Sequence, residues 1–90
     1  MKRYHITVSG RVQGVGFRYF AIRIAASMNL KGWVHNCYDG NVEIEVQGEE
    51  RQLNSFIESI RKGNLFIRVE NVNIDEIELK DGEKSFKLMY

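Results

Sequence analysis

The spacing of the hydrophobic residues changes at a glycine-rich segment, residues 10–16, and this change limits the chain to folds that mix strands and helices. Hydrophobic and polar side chains alternate along residues 4–9, which is typical of a half-buried strand. From Phe17 to about Asn29, hydrophobic residues recur at helical spacing. The segment between the two patterns holds three glycines in seven residues, which predicts a loop. The chain is therefore predicted to begin with a strand, a loop and a helix.

The rest of the chain repeats this mixture. The patterns predict, in order, a strand over 30–38, a hairpin turn at Asp39-Gly40, a strand over 42–47, a helix over 49–63, a turn at Asp81-Gly82 and a last strand over 86–90. Between the second helix and the last turn, Val72 and Ile74 lie at even positions of an alternating pattern, whereas Ile77 lies at an odd one. Because this change places hydrophobic residues on both faces of a strand, it predicts a bulge or break near Asp75-Glu76. The order β-α-β-β-α-β with a short extra strand is that of the ferredoxin-like split βαβ fold. We expect an α+β sandwich, one domain over 1–90, with a mostly antiparallel sheet and two helices on one face.

Charge and cysteine content argue against several classes of protein. The formal net charge of +1 sets up no field for nucleic acid or for an acidic membrane. The single cysteine, Cys37, cannot form an intrachain disulfide, and metal sites usually need several close ligands, so we interpret it as a half-buried apolar residue. No stretch resembles a signal peptide or a transmembrane segment. We expect a cytoplasmic monomer with no nucleic-acid or membrane partner and no metal.

The predicted topology brings distant segments together at one edge of the sheet. A right-handed crossover through the first helix makes the two flanking strands parallel, so their C-terminal ends meet. The loop 10–17, Arg18 and residues 35–38 should therefore converge. Asn36 occupies one of the alternating positions of its strand that otherwise hold hydrophobic residues. This is an unusual position for an amide, because such positions face the core.

The glycine-rich loop has the features of an anion site. Gly14 and Gly16 permit positive φ, and successive backbone N–H groups in such a turn can form an anion-binding nest. The loop leads into a helix N-terminus, which adds unpaired N–H donors. Arg18 lies in the first helical turn, where the helix dipole disfavours a cation unless an anion is bound. An ordinary strand–helix connection followed by a solvated arginine explains the same residues, so both interpretations remain open at this point.

Two longer motifs resemble the acylphosphatase family. They are Gly10-Arg11-Val12-Gln13-Gly14-Val15-Gly16-Phe17-Arg18 and, further on, Gly32-Trp33-Val34-His35-Asn36 followed by Asp39-Gly40-Asn41-Val42-Glu43. The resemblance covers nearly the whole chain. It implies a ferredoxin-like enzyme that hydrolyses the carboxyl-phosphate bond of acyl phosphates without metal or cofactor, releasing a carboxylate and inorganic phosphate.

The resemblance also implies residue roles. The family's essential arginine falls on Arg18 and its essential asparagine on Asn36. Its phosphate-binding loop falls on Gln13, Gly14, Val15, Gly16 and Phe17. The chain departs from the family at residues 63–70, which lack a frequent glycine- and proline-rich loop, and at Cys37-Tyr38. We expect these departures to affect substrate preference and the pocket rim, not phosphate binding.

The expected mechanism needs no covalent intermediate. Loop amides and Arg18 would hold the phosphoryl oxygens while Asn36 positions an attacking water in line. Asparagine cannot take the proton, and the resemblance implies that a phosphoryl oxygen of the substrate does. The histidines, His5 and His35, are interpreted as structural. Glu43 and Glu45 are interpreted as an outward strand face.

Two alternatives belong to other functional classes. RNA-recognition domains share the element order, and residues 14–20 resemble their aromatic motif, although that motif belongs on a strand and the near-zero net charge disfavours RNA. A non-catalytic, phosphate-binding or regulatory domain of the same fold, as in larger maturation enzymes, is the other alternative.

Overall fold

A computed structural model describes all residues from Met1 to Tyr90. Its elements are β1 (Lys2–Arg11), α1 (Phe17–Ser27), β2 (Lys31–Asn36), β3 (Val42–Gly48), α2 (Glu50–Lys62), β4 (Arg68–Ile77) and β5 (Phe86–Leu88). The predicted order of elements is confirmed. β1 is longer than predicted. β2 is shorter than predicted, because it ends at Asn36 and the turn into β3 begins directly after it. Neither helix has the length and apolar character needed to cross a membrane.

The five strands form one sheet in the order β4-β1-β3-β2-β5. β3 is antiparallel to both β1 and β2, so β1 and β2 run in the same direction and end at the same edge. β4 is antiparallel to β1, and β5 is parallel to β2. α1 packs on β2 and β5, and α2 packs on β3 and β4. The fold is the predicted ferredoxin-like sandwich, with the other face of the sheet, here called the open face, free of helices.

The core lies between the sheet and the two helices. Alternate residues of β1 and β3, such as Ile6 and Ile44, are fully buried on this side, opposite Phe17 of α1 and Phe56 of α2. The cluster of 16 buried hydrophobic residues is continuous from the loop after β1 to Phe86 of β5. One core thus fixes the positions of both helices and of the loop that leads into α1.

The predicted break near Asp75-Glu76 is wrong, because β4 continues unbroken from Arg68 to Ile77. The irregularity lies instead between Ser9 and Gly10, where the register with β4 shifts by one residue. Gly10 has φ 126°, and a Cβ there would lie 2.3 Å from the Arg68 carbonyl oxygen. The prediction from alternating positions failed because β4 is an edge strand with mostly exposed side chains. The hydrophobic pattern of such a strand says little about which side chains are buried.

A buried arginine anchors the connection between β4 and β5, residues 78–85, which joins opposite edges of the sheet. Arg3 is 1% exposed. Its guanidinium donates to Glu83 at 2.6 and 3.1 Å and to Gln47 Oε1 at 3.2 Å, and its Nε donates to Glu45 at 2.9 Å. The Gln47 amide is also paired with both backbone groups of Lys80. This network could not be predicted from the sequence, because an arginine in an alternating strand is normally solvated.

Candidate active site

The loop between β1 and α1 presents a series of unpaired backbone donors. None of the N–H groups of residues 13–19 donates to a protein acceptor. Gly14 and Gly16 have φ of 75° and 81°, and a Cβ at either position would meet nothing within 4 Å. The glycines are therefore required for backbone conformation and not for space. Consecutive free N–H groups around left-handed residues form the geometry of an anion-binding nest.

The N-terminus of α1 adds positive potential that no side chain offsets. Gly16 is the N-cap, it supplies no capping side chain, and the first turn holds no acidic residue. Arg18 lies in this turn, is half-buried, and forms no hydrogen bond or ion pair with the protein. A cation at a helix N-terminus is unfavourable by itself. Helix and guanidinium together can hold an anion with two or more negative oxygens.

Asn36 is the last residue of β2 and pairs with Val42 of β3. Its Oδ1 is buried without a hydrogen-bond partner in the protein, the one buried side-chain polar atom in this condition. Leaving a buried acceptor unpaired costs about 1–3 kcal/mol. Such a cost at the end of a strand is typical of an atom whose partner is a ligand or a reacting water.

Gln13 connects the loop to the end of β2. Its Nε2 donates to the carbonyl oxygens of Cys37 and Asn41, both at 2.8 Å. The side-chain N–H groups of Gln13 are thus engaged within the protein, and only its backbone N–H is free to donate to an anion. The convergence predicted from topology is observed here, because the residue after Asn36 is held directly against the loop.

The turn between β2 and β3 is itself rigid. The Cys37 N–H donates to the Asn41 carbonyl at 2.8 Å, and the Asn41 N–H donates to Asp39 Oδ1 at 3.0 Å. Gly40 has φ 94°, as the predicted hairpin turn requires. Asn36 is therefore held at the start of a well-bonded turn.

The remaining predicted loop residues use their side chains for packing. Phe17 is 1% exposed, and its ring centroid lies 6.2 Å from that of Phe20. Val15 is half-buried against the core. For Val15 and Phe17, as for the two glycines, only the backbone amide is available to a ligand. Among the predicted site residues, only Arg18 and Asn36 contribute side-chain N–H donors that have no partner within the protein.

The other candidate polar residues lie outside this loop. His5 Nε2 lies 2.7 Å from Glu43 Oε2 on the open face, and Glu45 pairs with Arg3. Cys37 is half-buried, and its pKa is raised by burial and by the carboxylates of Glu43 and Asp39. His5 and Glu45 therefore have partners within the protein.

The whole arrangement, here called the oxyanion cradle, consists of the amides of residues 13–19, Arg18 and Asn36. It offers N–H donors and a guanidinium for a tetrahedral oxyanion, and the amide oxygen of Asn36, next to the residue that Gln13 contacts, is an unpaired acceptor. No Ser, Cys, Asp or His occurs in residues 12–18, so the loop supplies no nucleophile. The chemistry open to it is to bind a phosphoryl group and orient a water molecule.

Comparisons with known proteins agree with this geometry. The family model described as acylphosphatase matches residues 4–88. The acylphosphatase of Clostridium acetobutylicum is 54% identical over 90 residues, covering 100% of this chain and 99% of that protein. The crystal structure of acylphosphatase from Bacillus subtilis superposes with a TM-score of 0.95 at 43% identity and covers 100% of both chains.

A third similarity concerns a much larger protein. The crystal structure of T.kodakarensis HypF matches with a TM-score of 0.87 at 40% identity, covering 100% of this chain but 12% of that one. The same fold thus occurs both by itself and inside a longer chain. The family model and the full-length relatives confirm the resemblance found in the two sequence motifs, and they show that this chain belongs to the acylphosphatase family.

Proposed function

We propose that this protein hydrolyses acyl phosphates to a carboxylate and inorganic phosphate, using Arg18 and the loop amides to hold the phosphoryl group and Asn36 to hold the attacking water. Family membership supports the reaction. The observation that carries the residue roles is the buried, unpartnered Oδ1 of Asn36 beside a loop whose N–H groups are also unpartnered. Both halves of the site come from one chain, so a monomer suffices.

The phosphoryl group is bound by two kinds of donor. Unpaired N–H groups of residues 13–19 and the N-terminus of α1 bind its oxygens. Because these dipoles are fixed by the fold, they do not have to reorient during the reaction. The guanidinium of Arg18 binds two oxygens at once, which fixes the orientation of the group. As charge shifts towards the equatorial oxygens in the transition state, these preorganised donors interact more strongly than in the ground state.

Asn36 orients the water. Its Oδ1 accepts a hydrogen bond from the water, which directs an oxygen lone pair at phosphorus. Its Nδ2 donates to no protein acceptor and is free to contact a phosphoryl oxygen. An amide cannot act as a base, so its contribution is positional.

The balanced step is a direct displacement. The water oxygen bonds to phosphorus while the bond from phosphorus to the acyl oxygen breaks, and the carboxylate leaves with that electron pair. The water proton passes to a phosphoryl oxygen. A carboxylate is a good leaving group, so a strong general base is not needed.

A phosphate-binding domain without catalysis is the alternative, motivated by the same fold inside the longer HypF chain. The two functions differ in turnover. Purified protein should hydrolyse acetyl phosphate or benzoyl phosphate, and Arg18→Ala should reduce the rate by at least about 10²–10³. Arg23→Ala, an exposed arginine of the same helix, is the matched control and should keep the wild-type rate. Absence of hydrolysis by the wild-type protein would favour the binding domain.

A further inference from the structure

Three side chains with metal-binding chemistry meet on the open face, outside the oxyanion cradle: His35, Cys37 and Glu43. One ligand atom from each lies within 4.8 Å of the others, and all three residues are half-buried. The sheet register produces the cluster, because His35 lies directly opposite Glu43 and Cys37 follows two residues after His35 on the same side. The strand pairing thus supplies neighbours of Cys37 that lie apart from it along the sequence.

We propose that these three residues form a binding site for a divalent cation of the Zn²⁺ class, on the side of β2 opposite Asn36. Imidazole, thiolate and carboxylate are the ligands of zinc, whereas Mg²⁺ and Ca²⁺ select oxygen ligands alone. Metal–ligand bonds of about 2.0–2.3 Å in a tetrahedron place the ligand atoms roughly 3.5 Å apart. Small rotations of the three side chains close the cluster to this spacing.

The backbone of Cys37 is fixed in place before any metal binds. Its N–H donates to the Asn41 carbonyl at 2.8 Å, and its carbonyl accepts from the Gly40 N–H at 3.3 Å and from Gln13 Nε2 at 2.8 Å. A ligand held by three hydrogen bonds loses little backbone freedom on coordination. This lowers the entropic cost of binding a metal.

The other two ligands each have a supporting contact. His35 Nδ1 lies 3.4 Å from the Met89 carbonyl oxygen, and a proton on Nδ1 leaves the lone pair on Nε2. His5 Nε2 lies 2.7 Å from Glu43 Oε2, which leaves Oε1 as the free carboxylate oxygen. A ring N–H paired with a carbonyl and a hydrogen-bonded carboxylate are the supporting contacts that metal ligands usually have.

Binding of the metal releases one proton and changes no oxidation state. The Cys37 thiol gives its proton to solvent, its sulfur bonds to the metal, and no electrons are transferred. Three protein ligands leave a fourth position for water. The metal ties the end of β2 to β3 directly behind Asn36, so it stabilises the folded state and the strand end that carries the amide.

Co²⁺ and Zn²⁺ titrations of the reduced protein test the site. Co²⁺ should give a thiolate-to-metal charge-transfer band that saturates at one metal per chain, and Zn²⁺ should displace it. Zn²⁺ should also raise the Tm, because a ligand that binds only the folded state stabilises it. Absence of the band, or saturation at one metal per two chains, would overturn the proposal.

Variants separate this site from adventitious binding to the thiol. Cys37→Ser should remove the band and the Tm increase, and Glu43→Gln and His35→Ala should each weaken Co²⁺ binding by about tenfold or more. Glu58→Gln, an exposed carboxylate on α2, is the control and should bind as wild type. Wild-type affinity in both Glu43→Gln and His35→Ala would contradict the proposal even if Cys37→Ser fails to fold.

Discussion

The side-chain amide of Gln13 donates a hydrogen bond to the carbonyl oxygen of Cys37 at 2.8 Å, and this contact joins the two halves of the oxyanion cradle. The same amide reaches Asn41 at 2.8 Å. Gln13→Ala should lower the free energy of unfolding by about 1–3 kcal/mol, since it removes two hydrogen bonds, one to each carbonyl.

Gln13→Ala should also lower kcat for benzoyl phosphate, because Asn36 is then no longer held against the loop. We expect a loss of roughly 10–100-fold, the cost of misplacing a group that only positions the reactants. Urea denaturation and steady-state kinetics measure the two effects. Gln52→Ala, on the exposed face of α2, is the control. A Gln13→Ala enzyme with wild-type kcat would show that the link is structural only.

The Asn36 side chain should lower the stability of the free protein and raise its turnover of acyl phosphate. Its Oδ1 is buried and unpartnered, so Asn36→Ala removes a polar atom that destabilises the free protein. We expect turnover to fall by at least about 10²-fold while inorganic phosphate binding is nearly unchanged. The free energy of unfolding should stay level or rise by about 1 kcal/mol. Had Asn36 only capped the strand end, the substitution would destabilise the fold and leave turnover intact, and denaturation curves with rates distinguish the two roles.

The sequence predicts much of this site because the relevant signals are local. The change of hydrophobic period located the loop and α1, and the parity of Asn36 placed an amide on the apolar side of its strand. The proposed roles of Arg18 and Asn36 came from the family resemblance. The cluster of His35 and Glu43 could not be predicted, because it depends on strand register, which side-chain alternation alone does not fix.

The burial of Arg3 also could not be predicted from the sequence, and it affects the stability of the fold. Its burial depends on the connection 78–85, whose position over the sheet no local pattern records. Burial lowers the pKa of Arg3, but its hydrogen bonds with Glu83 and Glu45 outweigh that effect and raise it, so the arginine stays charged. Arg3→Met should lower the free energy of unfolding by about 3–5 kcal/mol, because it leaves Glu83 without its partner.

Chemical denaturation checks the Arg3 prediction, with Arg51→Met on the exposed side of α2 as control. Arg3 lies near the start of β1, at the opposite end of that strand from the oxyanion cradle. The folded fraction of Arg3→Met should therefore keep the wild-type kcat. A loss of stability no larger than that of Arg51→Met would show that the buried network contributes little.

Cys37 gives a pH dependence to stability. Burial, with the carboxylates of Glu43 and Asp39, raises its pKa above the ordinary value of 9.0. Because the folded protein holds the thiol proton more tightly than the unfolded chain, this contribution is complete below the unfolded pKa and is lost as the pH rises through the folded pKa. Stability should therefore fall more steeply above about pH 9 in wild type than in Cys37→Ala. Parallel curves for the two metal-free proteins would contradict this.

The segment at residues 63–70 should select the acyl group. Arg68 pairs with Arg11 at the end of β1, which places the segment beside the start of the loop. Leu65 and Phe66 are 91% and 67% exposed there, available to an apolar acyl group. Replacing both with serine should lower kcat/KM for benzoyl phosphate about fivefold relative to acetyl phosphate, the effect of losing about 1 kcal/mol of apolar contact.

The double variant should not change the free energy of unfolding, since neither side chain is buried. Leu79→Ser, an exposed leucine on the connection 78–85, is the matched control and should leave the ratio of the two substrates unchanged. Equal losses for both substrates would mean that the segment supports the loop instead of contacting the acyl group. A selective loss for benzoyl phosphate would assign substrate preference to residues 63–70.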